Sequence, residues 1–240
     1  MALREEMESS GSWLFRWRSY PPVIVLLLSM AALRDFRYNP ELGALGTGWE
    51  MICLAVSLAG LGLRSYTIGY AGKGTSGRNV TRQVAKSLNT NGIYSAVRHP
   101  LYLGNFLIWF GVAMFTRSWW FCLMVSLVFW LYYERIMLAE EAFLRGKFGD
   151  EFMQWADATP AFIPRFTNWR RPEGGFDLRT VLKREQSGLL GIVSAFMLLD
   201  FAGDYMMTGR PALDPLWLGI FLAGFVVFSV LTAMKKLKVL

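Results

Sequence analysis

Six apolar runs decide what this chain can fold into. They lie at about Tyr20–Leu33, Gly48–Leu63, Leu101–Phe115, Trp119–Tyr133, Leu189–Phe201 (extending to Met207) and Leu216–Met234. Each is predicted to be a membrane-embedded helix, because backbone polar groups in hydrocarbon must be satisfied within the segment. Several are short: about fifteen helical residues rise ~22 Å, against a hydrocarbon core of ~30 Å. Flanking aromatics such as Trp119, Trp120, Tyr132 and Tyr133 extend them into the interface. Only Thr116, Arg117 and Ser118 separate the third run from the fourth, so these two form a tight hairpin that either spans fully or dips part way.

The expected fold is therefore all-α: a polytopic membrane protein of about six transmembrane helices with a cytoplasmic cap. Composition agrees, with 54% hydrophobic and 18% charged residues, where a soluble domain carries about 25% charged. The N-terminal "MALREEMESSGSWLFRWRSYPP" is long and mixed in charge, and no small-residue cleavage site ends the apolar run behind it. This reads as a retained first helix rather than a removed signal peptide. One membrane domain is expected, organised as N-terminal helices and a basic loop (1–90), a core (91–164), and a polar segment with two C-terminal helices (165–240).

The net charge of +7 is explained by orientation rather than by nucleic acid. With six spans and both termini cytoplasmic, 21 of the 25 Lys and Arg fall inside, and Arg34, Arg37, Arg117 and Arg210 fall outside. Cys53 and Cys122 lie within apolar runs and read as small core or lipid-facing residues. Two Cys and one His do not build a zinc site of the usual kind, and no metal is expected.

Four polar constellations interrupt the apolar pattern. "GKGTSG" (72–77) lacks the glycine spacing and the preceding strand of a phosphate loop. It reads as a flexible basic loop near anionic headgroups, and Lys73, Arg78 and Arg82 with Gly-rich amides would suit a lipid phosphate. "VRHPLYLGNFLIWFG" places the lone histidine, His99, at a helix start. Pro100 fits the first turn, whose free amides favour a carboxylate or phosphate. Arg98 and His99 share that end, Tyr102 and Asn105 rise from the first turns, and Gly104 and Gly111 line one face for close helix or ligand approach. Standing alone, the stretch also reads as an interfacial anchor beside a packing seam.

Glu134, Glu140 and Glu141 follow directly on the fourth run. Glu134 reads as an ordinary charged face. Glu140 and Glu141 diverge by about 100° round a helix, so one can face a ligand while the other pairs with Arg or solvent. Asp200 and Asp204 end the fifth run and read as interfacial solvation on the outer side. Trp13, Trp17, Trp155 and Trp169 read as interface anchors.

Two blocks then stand at matching spacing. Gly92, Tyr94, Arg98, His99, Pro100, Tyr102, Gly104 and Gly111 fit the pattern G-x-Y-x-x-x-R-H-P-x-Y-x-G with a further Gly seven on. Glu140, Glu141, Leu144, Phe148, Gly149, Phe152, Trp155, Ile163 and Pro164 fit E-E-x-x-L-x-x-x-F-G-x-x-Y-x-x-Y with an I-P ending. Together they resemble the isoprenylcysteine carboxyl methyltransferase and phospholipid methyltransferase group of integral membrane enzymes, over about Asn91–Pro164. Phe152 and Trp155 depart from the pattern, keeping the ring and losing the tyrosine hydroxyl.

The resemblance implies S-adenosyl-L-methionine bound at the cytoplasmic face by Tyr94, His99, Pro100, Tyr102, Gly104, Asn105, Glu140 and Glu141. It implies catalytic parts for Arg98, His99 and Glu141, and a membrane lipid or lipidated substrate. "LNTNG" and "TSGRN" resemble a bacterial subgroup associated with methylation of lipid phosphate of the lipid A type, which places the chain in a bacterial inner membrane.

Methyl transfer from a sulfonium needs alignment and exclusion of water. An anionic acceptor needs no general base, and Arg98 or Arg78 would orient it. An amine or alcohol acceptor would need His99 or a Glu as base. Two other classes compete with this reading. Membrane sterol reductases that use NADPH share an R-H-P-x-Y block, but this chain has the glutamate pair and no second histidine. A transporter or non-catalytic scaffold lacks support from paired repeats or mid-span polar residues. The oligomeric state is not set by the sequence.

Overall fold

A computed structural model describes residues 3–33, 43–71 and 85–240. The described residues form eight α-helices: α1 Leu3–Trp17, α2 Pro21–Ala32, α3 Gly43–Tyr70, α4 Pro100–Phe115, α5 Trp119–Phe148, α6 Asp150–Ala158, α7 Leu178–Thr208 and α8 Pro215–Lys236. Among the described residues there is no strand, only one isolated bridge between Gly92 and Arg170.

Each apolar run lies in a helix, but the helix ends follow local chemistry rather than hydropathy. The N-terminal region makes two helices, because Pro21 and Pro22 interrupt the ladder after Ser19 and Tyr20. α5 continues without a break past Tyr133 for 30 residues and carries Glu140 and Glu141 beyond the apolar run. α7 starts at Leu178, and its first turns carry Arg179, Lys183, Arg184 and Glu185 ahead of the apolar stretch. α8 is capped by Asp214, whose Oδ1 accepts from the Leu216 N–H at 2.7 Å, with Pro215 in the first turn.

Four helices are long and apolar enough to cross a membrane: Gly46–Tyr70, Trp119–Phe148, Leu178–Thr208 and Pro215–Lys236. α2 and α4 are apolar but shorter, at 12 and 16 residues. Exposed Leu222, Phe225, Val226 and Val230 on α8 leave an apolar surface that suits lipid, not water.

The chain divides into two compact units. The first comprises Met1–Pro21, Leu63–Leu103 and Leu127–Asp177; the second comprises Pro22–Gly62, Gly104–Ser126 and Leu178–Leu240. The second unit packs Leu33, Cys53, Leu54, Val112, Phe115, Phe196, Leu199 and Trp217 into a core. Its α3 and α4 touch backbone to backbone. A Cβ added to Gly111 would lie 2.2 Å from Ser57 Oγ and 2.6 Å from the Cys53 carbonyl. Ser57 Oγ donates to the Ile108 carbonyl at 3.1 Å across the same seam. In the three-residue link to α5, Arg117 takes φ 54°, and its Nη2 donates to the Gly46 carbonyl at 3.1 Å. The first unit holds the two motif blocks.

Candidate functional site

The first block is a fixed scaffold before it is a helix. At Gly92, φ is 60° and ψ −134°, a conformation that side chains with a Cβ rarely adopt. Its N–H donates to the Arg170 carbonyl at 3.0 Å, and its carbonyl accepts from Ser95 Oγ at 2.7 Å. Ser95 Oγ in turn accepts from the Arg170 N–H at 2.9 Å. Further on, the Arg98 and His99 N–H groups donate to the Pro160 and Ala161 carbonyls at 2.9 and 3.2 Å. The Arg165 N–H donates to the Ala96 carbonyl at 2.9 Å. The segment after α6 thus runs alongside residues 96–99 and holds them in place. Pro100 opens α4, and the His99 carbonyl accepts from the Tyr102 and Leu103 N–H groups, each at 3.1 Å.

These supports aim the polar side chains at one place on α5. His99 Nε2 donates to Glu141 Oε1 at 2.9 Å, and His99 Nδ1 faces Glu140 Oε2 at 3.6 Å. The Tyr102 phenol donates to Glu140 Oε2 at 2.9 Å. Arg98 Nε lies 3.0 Å from Glu141 Oε1, too bent for a hydrogen bond, and Arg98 Nη1 donates to the Ala156 carbonyl at 2.7 Å. The two glutamates diverge on their helix, yet both reach the imidazole because it stands between them. Glu141 is paired with Arg98.

Burial opposes a charged imidazole. The hydrogen bonds and negative charges of Glu140 and Glu141 outweigh it and raise the His99 pKa above its ordinary value. Burial likewise pushes the Tyr94 phenol up, helped by the Glu140 charge and opposed by a hydrogen bond with Asn89. The rings form a wall: His99 stacks on Tyr102 with centroids 5.6 Å apart, Tyr102 meets Tyr133 at 4.9 Å, and Tyr133 stacks on Phe129 at 4.2 Å.

The site residues read from the sequence fall out unequally. Arg98, His99, Tyr102, Glu140 and Glu141 form one bonded cluster, and Tyr94 stands beside it through Glu140. Pro100 serves as the first helical residue. Gly104 and Asn105 follow on α4 in the second unit, where a Cβ on Gly60 would meet the Gly104 carbonyl at 2.5 Å. Arg78, with the 72–77 loop, lies outside the described residues. Trp155 is not a free interface anchor: its indole N–H donates to the Tyr94 carbonyl at 3.0 Å, so it retains a polar link where the pattern has tyrosine. Phe152 is buried against it, with ring centroids 5.8 Å apart. Sequence reading missed α1 beside this cluster; the helix lies outside both blocks, and the contact is a tertiary one.

The donor set fits a small cationic ligand with hydroxyl and amine groups. The Glu140 and Glu141 side chains keep 32% and 23% of their surface exposed, so oxygens remain within reach of a ligand. Carboxylates favour a positive charge, and the Tyr102 and Tyr133 faces do so too. Among the described residues, no group of three or more His, Cys, Asp or Glu is placed to hold a metal ion. In the second unit a separate polar group lines a small cavity, with Glu50, Asp200 and Asp204 beside Leu33, Phe115 and Leu199. Trp217 Nε1 donates to Glu50 Oε2 at 3.1 Å, and Arg117 Nη2 lies 3.7 Å from Glu50 Oε1.

Residues 50–151 match the family model described as phospholipid methyltransferase. The chain is 31% identical over 122 residues to a cobalt-zinc-cadmium resistance protein of Cupriavidus metallidurans, covering 51% of this chain and 56% of that one. It is 32% identical over 122 residues to a nickel-cobalt-cadmium resistance protein of Alcaligenes xylosoxydans xylosoxydans, covering 51% and 57%. It is 39% identical over 77 residues to the protein-S-isoprenylcysteine O-methyltransferase of Schizosaccharomyces pombe, covering 32% and 33%. The chain thus spans little more than half the length of the first two relatives and a third of the last. No solved structure matches. These likenesses support the membrane methyltransferase family to which the two motif blocks point.

Proposed function

We propose that this chain, whose residues 50–151 carry the phospholipid methyltransferase family region, is an S-adenosyl-L-methionine-dependent methyltransferase of the membrane. Its acceptor is an anionic group on a lipid or lipidated substrate. The observation that carries the reading is the imidazole of His99 held between Glu140 and Glu141, with Arg98 and Tyr102 meeting the same two carboxylate oxygens that face the imidazole.

When bound, S-adenosylmethionine supplies a methyl carbon on a sulfonium, which the acceptor oxygen attacks while the carbon–sulfur electron pair stays on sulfur. The chain's own residues hold, orient and shield. Glu140 and Glu141 present carboxylate oxygens to the donor's amine and hydroxyl groups and favour its positive charge. Tyr94, Tyr102 and the opening turns of α4 at Pro100, Gly104 and Asn105 shape the rest of the donor site. Arg98 fixes Glu141 and offers its remaining guanidinium edge to the acceptor, a part that Arg78 shares in this reading.

His99 has its pKa raised by two carboxylates, so it is a poor base near neutral pH. That favours an acceptor that arrives already ionised, a phosphate or a carboxylate, with phosphate of the lipid A type as the best guess. In the same reading the site and both termini face the cytoplasm of a bacterial inner membrane. Six helices enter the bilayer, with α4 and α5 as the hairpin, and the stretches 1–90, 91–164 and 165–240 serve as entry helices, core and C-terminal support.

Cells labelled with methyl-tritiated methionine test this. Wild type should place label in extractable lipid, released slowly by base from a methyl phosphate diester or readily from a carboxyl methyl ester, and Arg98→Gln and Glu141→Gln should abolish it. Full labelling in both variants would sink the site assignment. Label that base does not release at all, as from an N-methyl group, would sink the anionic acceptor.

A further inference from the structure

The polar segment that follows α6 carries side chains that the site does not use. Ile163 is 79% exposed and Phe166 63%, and Trp169 is exposed too. Arg165, Arg170 and Arg171 are exposed among them, with Glu173 as the neighbouring exposed acid. Large apolar side chains and three cations uncovered on one short stretch mark an interaction surface. Two sets of ring contacts give its height. The Phe162 ring meets Trp130 edge-on with centroids 5.5 Å apart, and Phe129 at 6.3 Å. Trp130 stands three residues before the apolar run of α5 ends at Tyr133, about 5 Å along the axis. The Trp169 ring meets Tyr66 at 6.4 Å, and Tyr66 stands three residues beyond Leu63, where the apolar run of α3 ends. Residues 162–169 therefore straddle the level at which two helices of membrane-crossing length leave their apolar runs.

The stretch is fixed rather than loose. The Trp169 N–H donates to the Phe166 carbonyl at 3.2 Å and closes a 3-10 turn over Phe166–Asn168. Asn168 Nδ2 donates to the Ala158 carbonyl at 2.9 Å, and the Phe166 and Trp169 rings stand 6.4 Å apart. The Arg165 N–H donates to the Ala96 carbonyl, and Arg170 is bridged to Gly92, so the same residues support the first motif block. The arginines contribute only backbone atoms to these bonds. Their charge can be removed without breaking the support.

We propose that residues 162–171 form a docking strap for anionic lipid headgroups of the bilayer that the long helices cross. Aromatic rings settle at headgroup depth, and each arginine gains from a negative surface potential. A zwitterionic surface answers the rings alone; an anionic one answers the rings and the charge together. The planar guanidinium forks also match the oxygens of a lipid phosphate. Docking fastens the support of residues 92–99 to the membrane surface. It involves no bond making and stands whatever group the chain methylates.

The test uses the full-length chain with Thr167→Cys, an exposed position in the turn, carrying a polarity-sensitive dye. The labelled protein is placed in nanodiscs of phosphatidylcholine, or of equal parts phosphatidylcholine and phosphatidylglycerol. Dye emission should lie further to the blue in the phosphatidylglycerol discs, and the difference should shrink as salt rises. Replacing Arg165, Arg170 and Arg171 together by Gln should abolish the difference, and replacing all three by Lys should keep it. Lys235→Gln with Lys236→Gln, exposed charges at the end of α8, should leave it unchanged. In detergent, titration with phosphatidylglycerol should show binding weakened about fivefold for each of the three arginines changed singly to Gln. Equal emission in the two kinds of disc would overturn the inference and leave the patch to a protein partner. A difference that survives the three Gln changes would overturn it as well. Loss of the difference in the Lys form as much as in the Gln form would assign the effect to folding rather than charge, and so overturn it too.

Discussion

His99 was conspicuous from the first as the lone imidazole, and its two glutamates were visible some forty residues later. Their meeting was legible because both blocks carry fixed spacings. The detail that one imidazole touches both carboxylates was not, since it depends on where α4 lies along α5. The consequence is measurable. His99 has a folded pKa above its ordinary 6.5. The stability it contributes is therefore full below about pH 6.5 and is lost as pH rises through the raised value. His99→Gln should lower the thermal midpoint in detergent clearly at pH 6 and far less at pH 9. Equal losses at both would contradict a charged clamp.

Trp155 makes a second case at this scale. Its sequence context suggests an interface anchor, but its indole N–H donates to the Tyr94 carbonyl. Trp155→Phe keeps the ring and removes that donor. It should destabilise the fold by about 1 kcal/mol, seen as a shift in the unfolding midpoint; no shift would show the bond to be dispensable.

Among the elements, the apolar runs located the apolar helices, four of them long enough to cross a membrane, but not their ends. The apolar runs end at Leu63 and Tyr133 and begin at Leu189, whereas the helices continue to Tyr70 and Phe148 and begin at Leu178. Their charged outer turns are helical because backbone hydrogen bonding does not depend on burial. α1 escaped notice because its claim on α5 is a tertiary contact at Gly11, which leaves no local pattern. Gly104 and Gly111 were expected to permit close approach. At Gly111 the approaching partner is α3, and at Gly104 it is Gly60 of that same helix.

Gly111→Leu should therefore destabilise the protein by about 1–3 kcal/mol through overpacking. Gly146→Ala, in α5 with nothing within 4 Å of the added carbon, should be neutral or stabilising by up to about 1 kcal/mol. Thermal unfolding of the pair checks this, and a loss in Gly146→Ala equal to that of Gly111→Leu would contradict the packing account.

For the molecule as a whole, orientation rests on where the basic residues lie. Cys53 is buried and Cys122 partly so, which leaves a quiet background for labelling. A cysteine at exposed Glu173 should react with a membrane-impermeant maleimide only after the cytoplasmic side is opened. One at exposed Arg210 should react in intact spheroplasts. The reverse pattern would contradict the proposed orientation.

The central claim is that the Arg98–His99–Tyr102–Glu140–Glu141 cluster is a methyl-donor site, and equilibrium binding of S-adenosylmethionine to the purified full-length chain tests it most directly. Wild type should bind, and Glu140→Gln and Glu141→Gln should each weaken binding about 10- to 100-fold while remaining folded. No binding by wild type, or equal binding by both variants, would contradict it.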